Sequence, residues 1–193
     1  MQFFNYQLYA QFLMDAFQIS KYNVNMSQQR KSTRNPKIKE ESLNSLFDRK
    51  SDINMGYHIF YCPSKGRGII TTEDRCKGDV ILEYLGEMLE VKYAKERENQ
   101  YSRLGLTTSY MFYFKYDSKH YCIDATTENG RYGRLINHSK SLQNLTPKII
   151  KRPCGQLKLY FVAKMNIAAD SELYYDYHDN RPSILAAHPW LSK

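Results

Sequence analysis

The chain beyond residue 66 is divided into short runs of β-forming residues, separated by Gly, Asp and Ser. The runs are GIITT from Gly68, DVILEYL from Asp79, SYMFYFKY from Ser109, HYCID from His120 and LKLYFVA from Leu157. β-Branched and aromatic residues in runs of this length are typical of strands. Because no internal repeat and no regular strand–helix alternation is present, the pattern predicts an α+β domain, mainly β, with mostly antiparallel sheets.

Helical spacing is confined to two segments. Asn35 and Pro36 offer an N-cap and a first-turn proline for a helix from residue 37 to about Lys50. A second helix is predicted from side chains at helical spacing, namely Val91, Ala94, Glu98 and Tyr101, with Gly105 as C-cap. We therefore expect one helix before the strands and one among them.

Length and composition limit the number of domains. With 193 residues, of which 42% are hydrophobic, the chain can build one core with appendages. Its longest uncharged stretch, Met1 to Met14, is interrupted by polar residues, so no membrane span is expected. We expect a flexible arm that is basic from residue 21, a flanking helix with its linker, the β-rich domain and a C-terminal flank, at residues 1–36, 37–66, 67–178 and 179–193.

The charge of the chain favours an anionic partner. The formal net charge is +8, and the segment from Lys21 to Lys50 carries eight basic and three acidic residues, a net charge of +5. Such a segment suits nucleic acid, a membrane surface or an acidic protein. The alternative is a solvated arm without a partner.

Two kinds of site are disfavoured by the motifs. A structural zinc site is not expected, because the four cysteines form no C-x-x-C motif and the five histidines form no i, i+4 pair. A hydrolase triad of His138, Ser139 and Asp176 is disfavoured because adjacent residues rarely face one another and no G-x-S-x-G elbow is present. The alternative for His138 taken alone is an ordinary core histidine.

Six motifs occur in order along the chain: KGRG (65–68), GDVILEYLGE (78–87), YMFYF (110–114), YCIDAT (121–126), GRLINHS (133–139) and ELYYDY (172–177). This ordered set resembles a SET-domain protein lysine methyltransferase, from about residue 37 to the C-terminus. GRLINHS and the ending AHPWL (187–191) look most like the histone H4 lysine-20 monomethyltransferases. The resemblance implies a SET fold of small curved antiparallel sheets, in which the chain near NHS and the YDY segment thread together as a C-terminal pseudoknot.

By the same resemblance, the cofactor is S-adenosyl-L-methionine. The residues implied to bind it are Lys65, Gly66, Arg67, Tyr110, Asn137, His138 and, over the adenine, Trp190. Arg134 is implied to be a strut of the pseudoknot rather than a cofactor contact.

The tyrosines crowded near the C-terminus suit a channel for a lysine side chain. Residues i and i+2 of an extended segment face the same way, so Tyr175 and Tyr177 share a wall while Tyr174 points elsewhere. An apolar channel disfavours the lysine ammonium, which must lose its proton before methylation. The resemblance assigns methyl transfer to Tyr177, a further channel wall to Tyr84, and the number of methyl groups, one, to Tyr175. The alternative, which we prefer for Tyr174, is that tyrosine is simply a good strand former.

The resemblance also implies a substrate and a location: the histone H4 tail within the nucleosome, and chromosomes in the nucleus. Arg30 and Arg34 of the basic arm are implied to contact the acidic patch of the nucleosome, with DNA phosphate as the competing partner. We expect a monomer. A methyltransferase for another protein lysine and a non-catalytic histone- or DNA-binding module are the alternatives. His178 departs from close family members, which carry glycine there, and residues 141–156 hold no motif that we can assign.

Overall fold

The structure is a computed structural model that describes residues 49–63, 65–106, 110–152 and 154–177. These residues all belong to one compact unit. Their strands are β1 (Tyr57–Cys62), β2 (Gly66–Thr71), β3 (Val80–Glu83), β4 (Glu87–Glu90), β5 (Met111–Tyr116), β6 (Lys119–Asp124), β7 (Asn137–His138), β8 (Leu145–Lys151), β9 (Leu157–Ala163), β10 (Ser171–Glu172) and β11 (Tyr174–Tyr175). An α-helix, α1 (Val91–Arg103), follows β4, and a 3-10 turn (Gly133–Leu135) precedes β7.

The described strands form four small sheets. Three of them are antiparallel and have three strands each, in the orders β1-β2-β10, β3-β9-β8 and β4-β6-β5. The fourth is the parallel pair of β7 and β11, in which Tyr174 lies opposite Asn137 and Tyr175 opposite His138. This architecture of small, mostly antiparallel sheets with one helix confirms the predicted fold class.

Each of the five predicted strand segments contains a strand, namely β2, β3, β5, β6 and β9. Helix α1 is confirmed as well, and Gly105 follows it with a φ of +74°, a left-handed conformation that glycine adopts without strain. Of the helix predicted from residue 37 to about 50, all but the last two residues lie outside the described ranges, and residues 49 and 50 have no regular structure. Strand β1 lies within residues 37–66, where we expected only a helix and a linker.

The sheet of β3, β9 and β8 is covered on both faces. Successive side chains of a strand point to opposite faces. Leu159 and Phe161 of β9 therefore pack into the main core, while Tyr160 and Val162 pack with Val80 in a second cluster. Burial on both faces explains why LYFVA, residues 159–163, is a continuous apolar run rather than an alternating one.

A network of buried charges joins the segment before β1 to the loop that leads into β7. Arg131 Nε lies 3.1 Å from Asp52, and Arg131 also lies 3.4 Å from Glu83. Each carboxylate has a second cationic neighbour. Lys158 Nζ lies 2.9 Å from Glu83, and the Arg49 guanidinium lies 3.5 Å from Asp52. Burying a charge is costly unless it is paired, so each member of the network depends on the others.

Substituting Arg131 should therefore destabilise the protein strongly. Arg131→Leu leaves Asp52 and Glu83 without their shared partner, and we expect a loss of about 3–5 kcal/mol in the free energy of unfolding. The matched control is Arg103→Leu at the exposed end of α1, which should cost less than about 0.5 kcal/mol. Denaturant unfolding measures both values, and similar small losses would contradict the account.

Candidate active site

The site is built where two segments distant in sequence run side by side. The loop before β7 passes so close to β3 that a Cβ atom at Gly133 would lie 2.2 Å from the carbonyl oxygen of Glu83. Only glycine allows this approach. Beyond the turn, the parallel pairing with β11 brings His138 opposite Tyr175. The pairing places GRLINHS and ELYYDY together, as the resemblance implied.

The three tyrosines proposed for catalysis lie in one aromatic cluster. The ring of Tyr175 lies 4.6 Å from Tyr177, 4.6 Å from Phe161 and 5.9 Å from Phe112, measured between centroids. Tyr84 closes the cluster at 5.3 Å from Phe112 and 6.2 Å from Phe161. Tyr84 and Tyr175 are each 5% exposed, whereas Tyr177 is 37% exposed. Tyr177 is thus the ring of this cluster that meets solvent.

Tyr177 is fixed by two hydrogen bonds, one to His138 in β7 and one to Ile136, the residue that precedes β7. Its hydroxyl donates to the Ile136 carbonyl at 2.8 Å, so the polar end of the ring is turned inward although the ring is partly exposed. Its backbone N–H donates to His138 Nδ1 at 3.0 Å. Because a nitrogen that accepts this bond cannot carry a proton, His138 is neutral with its hydrogen on Nε2. Asp176 lies 3.7 Å from the same nitrogen, beyond hydrogen-bond range.

These contacts exclude the hydrolase triad. His138 Nδ1 is occupied by the backbone of Tyr177 instead of by an orienting carboxylate. Ser139 Oγ accepts a hydrogen bond from the N–H of Leu142 at 3.0 Å and lies 3.4 Å from Ser141 Oγ. A serine engaged in a local turn and a histidine held by a backbone amide do not form a nucleophile–base pair.

The phenols of the cluster are neutral groups. Burial raises the pKa of Tyr84 and of Tyr175 well above the usual value, and the neighbouring phenol of Tyr177 adds to both shifts. Burial also raises the pKa of Tyr177, and the nearby Tyr110 and Glu172 raise it further by smaller amounts. At neutral pH none of the three is a base. They act as hydrogen-bonding hydroxyls and as an apolar wall.

The residues proposed to bind the cofactor meet along one side of this cluster. Lys65 Nζ donates to the His138 carbonyl at 3.2 Å, which ties the turn before β2 to β7. Gly68 allows β2 to lie against Asn137, since a Cβ atom at this position would be 2.6 Å from Asn137 Nδ2. Gly66 has a φ of +79° and no heavy atom within 4 Å of its Cβ position, so its backbone faces open space.

Arg67 and Tyr110 belong to the same side through an ionic bridge. Glu128 accepts from Arg67 at 2.5 Å and from Arg134 at 3.1 Å, and the Arg67 guanidinium lowers the pKa of the Glu128 carboxyl. The Arg134 guanidinium lies 3.6 Å from the centroid of the Tyr110 ring and donates to the Thr126 carbonyl at 3.1 Å. Arg134 therefore braces the loop and one face of Tyr110.

Glu172 is a site residue that sequence reasoning missed. Its carboxylate accepts from Asn137 Nδ2 at 3.1 Å and from the Tyr174 hydroxyl, and the Lys65 ammonium lies 5.0 Å from the Tyr174 ring centroid. Burial raises the pKa of the Glu172 carboxyl. The two hydrogen bonds act in the opposite direction but do not cancel this effect. The available signal was the spacing of Glu172 and Tyr174, which puts both on one face of an extended segment. Tyr174 packs there, as expected.

Some of the proposed residues lie outside the described ranges. They are Arg30, Arg34, His178 and Trp190. Within those ranges, no helix is long and apolar enough to cross a membrane. The same residues include no group of three His, Cys, Asp or Glu side chains placed to hold a metal ion.

Comparison with known proteins identifies the class of protein. The SET domain family model matches residues 66–178, and the chain belongs to the SET-domain family. The crystal structure of CpSET8 from Cryptosporidium superposes with a TM-score of 0.59 at 28% identity, covering 92% of this chain and 98% of that one. A Chaetomium-type PRC2 chain, ctPRC2 bound to S-adenosylmethionine, gives a TM-score of 0.54 at 27% identity, covering 68% of this chain and 16% of that one.

The relatives in sequence are named lysine methyltransferases. N-lysine methyltransferase KMT5A-B of Xenopus laevis is 48% identical over 127 residues, which is 66% of this chain and 37% of that protein. Histone-lysine N-methyltransferase set-1 of Caenorhabditis elegans is 37% identical over 181 residues, 93% of this chain and 71% of that protein. The chain spans 37–50% of the length of the two Xenopus laevis relatives. These findings confirm the family that the six motifs predicted.

The raised pKa of Tyr175 predicts a specific loss of stability in alkali. The folded protein keeps this proton to higher pH than the unfolded chain does, so the stability is complete below the unfolded pKa of about 10 and is lost as pH rises above it. Each such phenol contributes a slope of about −1.4 kcal/mol per pH unit. Tyr175→Phe should remove that contribution, as measured by denaturant unfolding at several alkaline pH values.

The control for this experiment is Tyr93→Phe. Tyr93 is 56% exposed, so its substitution should leave the slope of stability against pH unchanged. If Tyr175→Phe and Tyr93→Phe behave alike, the phenol of Tyr175 is not enclosed as described.

Proposed function

We propose that the protein transfers one methyl group from S-adenosyl-L-methionine to a histone lysine, lysine 20 of histone H4 on nucleosomes. The observation that carries the proposal is the cluster of three neutral phenols beside His138 and the Lys65–Arg67 turn, in a chain of the SET-domain family. Support for the substrate comes from relatives that are named histone-lysine N-methyltransferases. On this proposal the protein acts in the nucleus, on chromosomes.

The residues beside the cluster fit the proposed cofactor. The backbone at Gly66 is open, Tyr110 offers a ring braced by Arg134, and the Glu172 carboxylate behind Asn137 places negative charge near the site of a cationic ligand. Lys65, Gly66, Arg67, Tyr110, Asn137, His138 and, from the C-terminal flank, Trp190 are the residues proposed to hold it. When bound, S-adenosyl-L-methionine supplies an electrophilic methyl group on a sulfonium.

The aromatic cluster suits the reacting lysine. A free lysine amine has a pKa of about 10.4 and is mostly protonated at neutral pH. The rings that form the cluster are Tyr and Phe side chains, and desolvation against them disfavours the ammonium form. Neutral hydroxyls can then position the amine without holding it charged, whereas a carboxylate in the same place would keep the proton on the lysine.

Tyr175 is the residue proposed to limit the product to one methyl group. Its hydroxyl can hold the amine together with a water molecule, and that water fills the space a methylated lysine needs to turn for a second transfer. Phenylalanine would leave the space open. The wild-type protein should therefore give only monomethylated product on a histone H4 tail peptide, and Tyr175→Phe should add dimethylated product, as measured by mass spectrometry.

Tyr93→Phe serves as the control for this change and should keep the monomethyl pattern. The assignment of Tyr175 is wrong if Tyr175→Phe gains no dimethylated product. Calorimetry with S-adenosyl-L-methionine separates the remaining alternatives: cofactor binding without transfer to any histone would identify a non-catalytic module. Transfer to a different lysine, located by mass mapping, would identify another substrate.

The basic arm is proposed to hold the nucleosome. Arg30 and Arg34 carry the guanidinium groups suited to paired contacts with carboxylates of the acidic patch, and DNA phosphate is the competing partner. Charge reversal at both positions should lower methylation of nucleosomes at least about tenfold, since charge-assisted contacts are worth roughly 1.5–3 kcal/mol each. Methylation of the free peptide should be unchanged. Equal losses on both substrates would refute the anchor.

A further inference from the structure

The segment from Lys140 to Ala169 contains no acidic residue. Its six basic residues are Lys140, Lys148, Lys151, Arg152, Lys158 and Lys164. Strands β8 and β9 form an antiparallel hairpin within it, closed by a hydrogen bond from the Arg152 N–H to the Gln156 carbonyl at 2.8 Å. We call residues 145–163 the basic hairpin. The site described above accounts for none of this charge.

The lysines of this segment are not all neutralised. Lys158 Nζ pairs with Glu83 at 2.9 Å, and Lys164 Nζ donates to Gln143 Oε1 at 2.8 Å. Lys148 is half-buried and Lys151 is exposed. Within the described ranges the side chain of neither Lys148 nor Lys151 makes a hydrogen bond or an ion pair. Their two charges are available to a partner.

The position of β8 makes both lysines accessible. β8 is an edge strand of its sheet, next to β9 alone among the described strands. Lys148 lies opposite Tyr160 and Lys151 opposite Leu157, so the two lysines are on opposite faces of the strand near its free end. Long lysine side chains reach past the strand edge from either face. They can therefore present two separated positive charges along one edge of the molecule.

The base of the hairpin is fixed to the active site. Asn144 donates its N–H to the Tyr174 carbonyl at 3.1 Å and its Nδ2 to the Glu172 carbonyl at 2.7 Å. It also accepts from the Tyr174 N–H at 2.9 Å. With a rise of about 3.3 Å per residue, Lys151 lies roughly 23 Å along the chain from this anchor. The charges are thus held at a set distance from the lysine channel.

We propose that the basic hairpin binds the phosphate backbone of duplex DNA, through Lys148 and Lys151, while the active site engages the histone tail. The inference rests on the proposed function, in which the substrate is a nucleosome. DNA is favoured over an acidic protein because both contacts are lysines. Lysine is a point charge that suits phosphates spaced along a backbone, whereas paired recognition of carboxylates favours arginine.

The test is the salt dependence of DNA binding by the full chain. The logarithm of the binding constant falls with the logarithm of the salt concentration, and each phosphate contact contributes about −0.9 to that slope. Lys148→Gln together with Lys151→Gln should make the slope less negative by about 1.8. The double variant should also bind a fluorescent duplex at least about tenfold more weakly at low salt. The matched control is Lys115→Gln with Lys119→Gln, two exposed lysines of the β5–β6 hairpin, which should change neither value.

Methylation assays separate this proposal from the proposed function. The hairpin variant should methylate the histone H4 peptide as the wild type does, which also shows that it is folded. On nucleosomes it should be less active than the wild type at low salt, and the difference should shrink as salt increases. An unchanged DNA slope in the hairpin variant overturns the proposal. Loss of nucleosome activity with unchanged DNA binding also overturns it, in favour of an acidic protein surface. A wild-type chain that binds DNA but methylates no peptide overturns the proposed function alone.

Discussion

The parallel pairing of β7 with β11 is the constraint on which the rest of the site depends. It joins segments more than 30 residues apart and is closed by the hydrogen bond from the Tyr177 N–H to His138 Nδ1. That bond fixes the histidine tautomer and, with the bond to the Ile136 carbonyl, the position of the Tyr177 ring. Lys65 reaches the same strand through the His138 carbonyl. A change in this pairing would move the aromatic cluster and the cofactor side together.

The charged and titratable groups of the protein divide into three environments. The aromatic cluster, which we propose as the lysine channel, carries neutral phenols, whose raised pKa values keep them uncharged. Full charges lie outside it: Asp52 and Glu83 are paired with Arg131, and the Glu172 carboxylate accepts hydrogen bonds from Asn137 and Tyr174. This separation lets the protein bury ionic groups for structure while the phenols of the aromatic cluster stay neutral. The charges of Lys148 and Lys151 form a third, outward-facing group.

Much of the fold could be predicted from local sequence, because buried strands such as β9 are mainly apolar on both faces and turns carry glycine. Strand β8 could not, since Pro147, Lys148 and Lys151 interrupt its apolar pattern. The structure explains this composition, as proline and lysine are tolerated on an edge strand. The two-residue strands β7 and β11 exist only through their pairing, so no local pattern marks them. The tyrosines proposed for catalysis were selected by resemblance and strand alternation, whereas Glu172 was missed because its partner Asn137 is distant in sequence.

The imidazole of His138 offers the most direct test of the account. Nitrogen-15 NMR of the folded protein at neutral pH, with a His138→Gln variant to assign the signals, reports which ring nitrogen carries hydrogen. The account predicts a neutral ring with hydrogen on Nε2 and an unprotonated Nδ1 that accepts from Tyr177. Hydrogen on Nδ1, as in an imidazolium paired with Asp176, would contradict the pairing that builds the site.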